Sequence, residues 1–113
     1  MNTAGTAMEA AAERYLRRRG LKLVSRNYRA RRGEIDLVMR HGAELVFVEV
    51  RQRRRPEYGS AAATVGPAKQ RRLLAAASEY LQRNGDQPCR FDVVAFEGDT
   101  EPHWIRDAFS AGD

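Results

Sequence analysis

The stretch with the means to do chemistry runs from Arg32 to Arg51 and reads RGEIDLVMRHGAELVFVEVR. It holds two apolar-alternating runs joined at His41-Gly42, and each run carries an acid that a purely structural strand would not need. In the first run Ile35, Leu37 and Met39 are predicted on one face, with Glu34, Asp36 and Val38 on the other. In the second, Val46, Val48 and Val50 share a face, and Phe47, Glu49 and Arg51 share the opposite one. Gly42 is a turn signal between two β-rich runs, so the stretch reads as a hairpin. A Gly42-Ala43 loop pairs His41 with Glu44 and sets Asp36 directly across from Glu49; a His41-Gly42 loop makes the two acids diagonal. Either register leaves both carboxylates on one face, with Arg51 next along it. Two acids can hold a hard divalent cation through oxygen, and a neighbouring cationic side chain can offset charge on a phosphate. Those are the needs of a Mg²⁺-dependent phosphodiesterase. A solvated strand face bearing acids beside arginines would have the same spacing, so the residues alone leave both readings open.

The rest of the chain must position these groups. At 113 residues it is predicted as a single domain with one modest core, spanning residues 1–113, with loose tails at 1–4 and about 110–113. A composition of 42% hydrophobic and 31% charged residues is that of a globular protein. The net charge of +5 points to an acidic partner, with nucleic acid the first candidate. Residues 1–60 hold 14 Lys+Arg against 7 Asp+Glu, whereas residues 61–113 hold 6 against 8, so the basic character is concentrated in the first half. Lys22 and Lys69 are the only lysines; arginine is this chain's default cation. Cys89 is alone and His41 and His103 are far apart, which rules out a disulfide framework and a Cys/His zinc motif. No run reaches the ~18 apolar residues of a membrane span, and no secretory segment is visible, so the expectation is a cytoplasmic protein with no membrane partner.

In chain order, Met8, Ala11, Ala12, Tyr15 and Leu16 follow helical spacing, predicting an amphipathic helix over about 5–19 that ends at Gly20. Glu13 and Arg17 are spaced for a surface ion pair. Glu9 sits at the edge of the apolar stripe, where it either reaches solvent or approaches the sheet as a third acid. Residues 21–28 alternate as a first strand, and Arg29, Arg31 and Arg32 form a basic connection that could line a phosphate track with Arg17, Arg18 and Arg19. A long loop follows the hairpin, basic at Arg53, Arg54 and Arg55, in a usual place to grip substrate. Gly66-Pro67 opens a second helix with the stripe Leu73, Leu74, Ala77, Tyr80 and Leu81, and Asn84-Gly85 closes it. Gln70 lies on that stripe and must find a partner, either nearby backbone or the acidic face of the hairpin. Residues 90–96 read as a last clear strand, after which Trp104-Ile105 forms a short edge strand or a packed tail. The predicted fold is α/β, a single mixed sheet flanked by helices in α-β-β-β-α-β order.

Five ordered blocks, RRGEIDLV, ELVFVEVR, PAKQRRL with SEYL, RFDVVAF and WIRDAF, resemble the bacterial YraN family over about residues 9–109. That family in turn resembles the restriction-endonuclease-like nucleases, whose motif is an acid, a spacer, then acid-x-Lys, and in style the archaeal Holliday-junction resolvases. The resemblance implies that fold and a catalytic set of Asp36, Glu49, Arg51, Glu9 and Gln70. It further implies Mg²⁺ (or Mn²⁺) held by Asp36, Glu49, the Val50 carbonyl and Glu9, with Arg29, Arg31, Arg32, Arg53, Arg54, Arg55 and Lys69 on nucleic acid. Arg51 departs from the motif lysine: it can grip a phosphate but is effectively never deprotonated. Three functions therefore stand open: a metal-dependent endonuclease on DNA, branched or otherwise structured; a nucleic-acid-binding module of the same fold; and a subunit binding an acidic protein. A homodimer is expected from the pairing of the resolvases.

Overall fold

The computed structural model describes residues 3–53, 65–98 and 101–110, with the side chains of residues 3–5 and 53 outside that description. The elements are α1 (Thr3–Arg18), β1 (Lys22–Arg29), β2 (Glu34–His41), β3 (Glu44–Arg53), α2 (Pro67–Asn84), β4 (Cys89–Glu97) and β5 (His103–Phe109). They build one mixed sheet of five strands in the order β1-β2-β3-β4-β5. All neighbours are antiparallel except β3 and β4, the parallel pair that α2 joins as a crossover.

The helices cover opposite faces. Ala12 and Leu16 of α1 pack with Leu37, Met39, Val46, Val48 and Val94. Leu73, Ala76, Ala77 and Tyr80 of α2 pack with Val38, Leu45, Phe47, Phe91 and Val93. The helix α2 starts where Pro67 pre-sets the helical φ and stops where Gly85, at φ 99°, sends its N–H back to the Leu81 carbonyl at 2.8 Å. His41 pairs with Glu44, so the hairpin loop is Gly42-Ala43, with Gly42 at φ 62° as a loop of that kind requires.

Four features differ from the sequence expectation. The helix α1 begins at Thr3, inside the predicted tail. Glu13 is not a surface residue: it is 3% exposed, and Arg26 of β1 reaches it at 2.6 Å in addition to Arg17 at 3.3 Å. Trp104-Ile105 belongs to a seven-residue fifth strand, so the order is α-β-β-β-α-β-β. That strand is pinned by Asp92, which is fully buried and accepts hydrogen bonds from the Trp104 indole at 2.9 Å and the Asp107 backbone N–H at 2.9 Å. The fourth feature is in β2, where strict alternation fails: Ile35 packs on the α2 side while Leu37 and Met39 pack on the α1 side. The strand changes face around Asp36, where its ladder with β3 gives out. No helix among the described residues is long and apolar enough to cross a membrane.

Candidate functional site

The regular β2–β3 pairing ends at Leu37 opposite Val48, and one further step brings Asp36 to Glu49. There the Asp36 side chain takes over from the backbone: its Oδ2 accepts the Val50 N–H at 2.8 Å. A carboxylate replacing a backbone carbonyl in the ladder lets β2 peel away from β3 without orphaning that N–H. The gap so formed holds the second acid.

Glu49 is 5% exposed. Its Oε2 faces two cations, Lys69 Nζ from α2 at 3.4 Å and Arg51 Nη1 at 3.6 Å. Its Oε1 is buried and accepts no hydrogen bond from a described residue; the Asp36 carboxyl is within hydrogen-bonding reach of the Glu49 side chain, a contact that needs a proton on one of the two. Burial, then the charge of Asp36, pushes the Glu49 carboxyl up to about 7, with Lys69 and Arg51 pulling the other way. Glu9, half-buried on α1, approaches the same place from the other helix. Burial and the nearby Asp36 raise its pKa, while a hydrogen bond with Asn27 opposes the rise. Glu9 thus takes the sheetward arrangement rather than the solvent one. Among the described residues, no three His, Cys, Asp or Glu side chains converge as a ready-made metal cluster.

An open cleft of about 510 Å³ reaches Asp36 but is not lined by Glu49 or Glu9; its walls are Arg29, Gly33, Glu34, Asp36, Lys69 and Arg72 together with Ala30 and Leu73. The structure therefore brings Glu9, Asp36, Glu49, Arg51, Lys69 and Arg29 to one region. Gln70 uses its amide locally, donating from Nε2 to the Val65 carbonyl at 2.8 Å, the backbone-capping option of its two. Arg31 and Arg32 are exposed on the β1–β2 corner, beside α2. Arg17 is committed to Glu13, and Arg19 stacks over the Tyr15 ring at 3.6 Å, so neither joins that cleft. Arg53 closes β3, while Arg54 and Arg55 lie outside the described residues.

Three contributors escaped the sequence reading. Lys69 was expected on phosphate, and its contact with Glu49 comes only from the crossover of α2 over the sheet. Its signal was present in the composition: a lysine stands where the chain otherwise supplies positive charge as arginine. Asn27 adopts φ 53°, a left-handed conformation that asparagine tolerates, and no local pattern marks it as a partner of Glu9. Gly33 approaches α2 so closely that a Cβ there would lie 2.6 Å from the Arg72 carbonyl oxygen.

The chain is similar to a UPF0102 protein of Methylobacillus flagellatus, 50% identical over 113 residues that cover 98% of this chain and 100% of the relative. One from Aeromonas hydrophila is 52% identical over 109 residues, covering 93% and 83% of the two chains. A Burkholderia pseudomallei relative is 55% identical over 111 residues, covering 96% and 76%. The model of the uncharacterised protein family UPF0102 matches residues 8–96. The chain belongs to that family, UPF0102, also known as YraN.

Proposed function

We propose that this protein is a divalent-metal-dependent endonuclease of restriction-endonuclease-like fold that hydrolyses phosphodiesters in DNA. One observation carries the reading: Glu49 Oε1 is buried without a hydrogen-bond partner among the described residues, next to Asp36, a second carboxylate that lines an open cleft together with Arg29, Lys69 and Arg72. A buried acid with an orphaned oxygen is costly for the fold alone, and a bound hard cation would satisfy it. The donor set fits Mg²⁺ or Mn²⁺. A small hard ion of this kind keeps several waters and needs only one or two carboxylates, so the lack of a three-acid cluster is no obstacle.

Asp36 and Glu49 would hold the ion, with the Val50 carbonyl beside them and Glu9 steadying Asp36 from α1. Bound there, the ion would supply an activated water and offset charge on the phosphate. Glu49 must be ionised to serve, and a bound cation would favour that form against the burial and the Asp36 charge that raise its pKa. Arg51 offers a fixed charge to grip a phosphate oxygen. Lys69 offers what Arg51 does not: an ammonium that exchanges its proton, 3.4 Å from Glu49 Oε2. We therefore assign to Lys69, from the helix, the role that the family's motif gives to a lysine on the strand.

Arg51 is also the observation favouring the second reading, a nucleic-acid-binding module without cleavage. End-labelled duplex, single strand, flap, fork and four-way junction DNAs, incubated with Mg²⁺ and then Mn²⁺, separate the two. Products made by the wild type and absent with Asp36→Ala support the nuclease. No cutting of any DNA, with several shifted in a gel, supports the binding module.

A further inference from the structure

On α2, residues Ala68, Arg71, Arg72, Ala75, Ser78, Glu79 and Gln82 are spaced to share one stripe of the helix. This stripe lies beside the buried one formed by Leu73, Ala76, Ala77 and Tyr80. Two arginines stand between two alanines, followed by Ser78, the acid Glu79 and Gln82. Such a stripe is a shallow basic floor, with no bulky apolar side chain to exclude a polyanion.

The β1–β2 corner is fastened along this stripe at two points. Near the start of α2, Gly33 lies against the Arg72 carbonyl, a contact that tolerates no Cβ. About two turns on, Glu79 accepts the Tyr28 hydroxyl at 3.1 Å and the Arg31 backbone N–H at 3.3 Å. With both ends held, Arg32 is kept beside Arg71 and Arg72, and Arg31 beside Ser78, Glu79 and Gln82.

Three clefts follow this seam and share their walls. The one at Asp36 and Lys69 shares Arg72 with a cleft of about 290 Å³ lined by Arg32, Ala68, Arg71 and Ala75. That one shares Arg32 and Ala75 with a third, of about 620 Å³, bounded by Arg31, Ser78, Glu79 and Gln82. They form one furrow running from the carboxylates along α2. Of the acids within it besides Asp36, Glu34 faces Arg29 at 3.9 Å, and Glu79 is already engaged by Tyr28, the Arg31 N–H and Arg83 at 3.9 Å. Arg31, Arg32, Arg71 and Arg72 are exposed and form no ion pair with a described residue. The chain's second half is net acidic, yet half of its basic residues are Lys69, Arg71 and Arg72. Cations in the first turns of a helix oppose its dipole, so these three are not there to stabilise α2.

We propose that this furrow is a DNA-backbone track, on which Arg72, Arg71, Arg32 and Arg31 take successive phosphates of the strand that enters the carboxylate site. The inference rests on the nuclease reading for what happens at the end of the track, but not for the binding itself. From Lys69 to Gln82 the helix rises about 20 Å. At about 3.4 Å of axial rise per phosphate of one strand, that spans about six nucleotides. The DNA thus follows α2 and the β1–β2 corner.

Binding of a fluorescent 20-bp duplex, measured by anisotropy in EDTA over a series of salt concentrations, tests the track without any cleavage. Each phosphate contact contributes about 0.9 to the slope of log K against log salt. The doubles Arg71→Gln/Arg72→Gln and Arg31→Gln/Arg32→Gln should each lower the magnitude of the slope by about two, with about tenfold weaker binding per lost contact near 0.1 M salt. The double Arg14→Gln/Arg106→Gln removes equal charge outside the furrow and should leave the slope as it is. Gly33→Ala keeps every charge but pushes the corner off α2, and should weaken binding while the protein still unfolds cooperatively. Wild-type slopes in the two furrow doubles, or an equal loss in the control, would overturn the track. So would tighter binding of a polyglutamate peptide than of DNA, lost in the same variants. If the slopes fall but no DNA is cut with metal, the track stands and the nuclease reading fails; cutting with unmoved slopes gives the reverse.

Discussion

Replacing Glu49 with glutamine should make the protein more stable and less able to bind metal. The carboxyl is raised from its ordinary 4.5 to about 7, chiefly by burial and then by Asp36. Between those two pH values the folded protein holds a proton that the unfolded chain has released. The stability contributed by protonated Glu49 is thus complete below about pH 4.5 and is lost as pH rises through about 7. A shift of this size corresponds to about 3 kcal/mol at pH 8. Glu49→Gln keeps the shape, removes the charge and provides an N–H that Asp36 can accept. The variant should therefore match the wild type near pH 4.5 and exceed it by about 3 kcal/mol at pH 8, or about 12 °C in Tm for a domain of this size. Urea unfolding of both proteins across pH 4.5 to 8 reads the difference directly. Adding Mg²⁺ at tenfold over its Kd should recover about 1.4 kcal/mol for the wild type at pH 8 and nothing for the variant. A wild type that outlasts Glu49→Gln at pH 8, or a difference that does not change with pH, would refute the buried-acid argument.

Two further outcomes follow from the same geometry. Lys69→Met should cut single-turnover cleavage at least about 100-fold, and Lys69→Arg should fail to restore it while Arg51→Lys remains active; full activity of Lys69→Arg would remove the proton-exchange role. Asp92→Asn should cost about 3–5 kcal/mol by urea unfolding, because Arg90, 9% exposed, then keeps only Glu44 as a charge partner among the described residues; a loss under 1 kcal/mol would show that β5 does not depend on that carboxylate.

The hairpin and the bounds of α2 were legible because each depends on local rules: period-two alternation, a glycine turn, a proline start and a glycine stop; which two residues make the loop was not, because Gly42 suits both His41-Gly42 and Gly42-Ala43. That Asp36 and Glu49 come close was legible as well, since either register of the hairpin puts them on one face of neighbouring strands. What sequence periodicity missed is non-local. The face change at Asp36 arises from competition between a side chain and a backbone carbonyl for the Val50 N–H. The fifth strand depends on a buried aspartate on its neighbour, and Asp92 looks in sequence like any outward residue of an alternating strand. Glu13 was assigned to the surface because its i+4 arginine was visible and Arg26, from another element, was not. Lys69 reaches Glu49 only through the long connection that carries α2 across the sheet.

The two outer strands carry a matching device. A pairing irregularity interrupts β1 between Leu23 and Ser25 and the β4–β5 ladder between Phe91 and Val93. Each outer strand also bears a non-glycine residue in the left-handed region, Asn27 at φ 53° and Asp107 at φ 52°. A kinked rim is a poor template for another strand, so both margins of the sheet are protected against edge-to-edge polymerisation. Any self-association would then have to use a helical face or a sheet end. That leaves the α2 furrow as a surface whose occupancy by another copy and by DNA would be mutually exclusive.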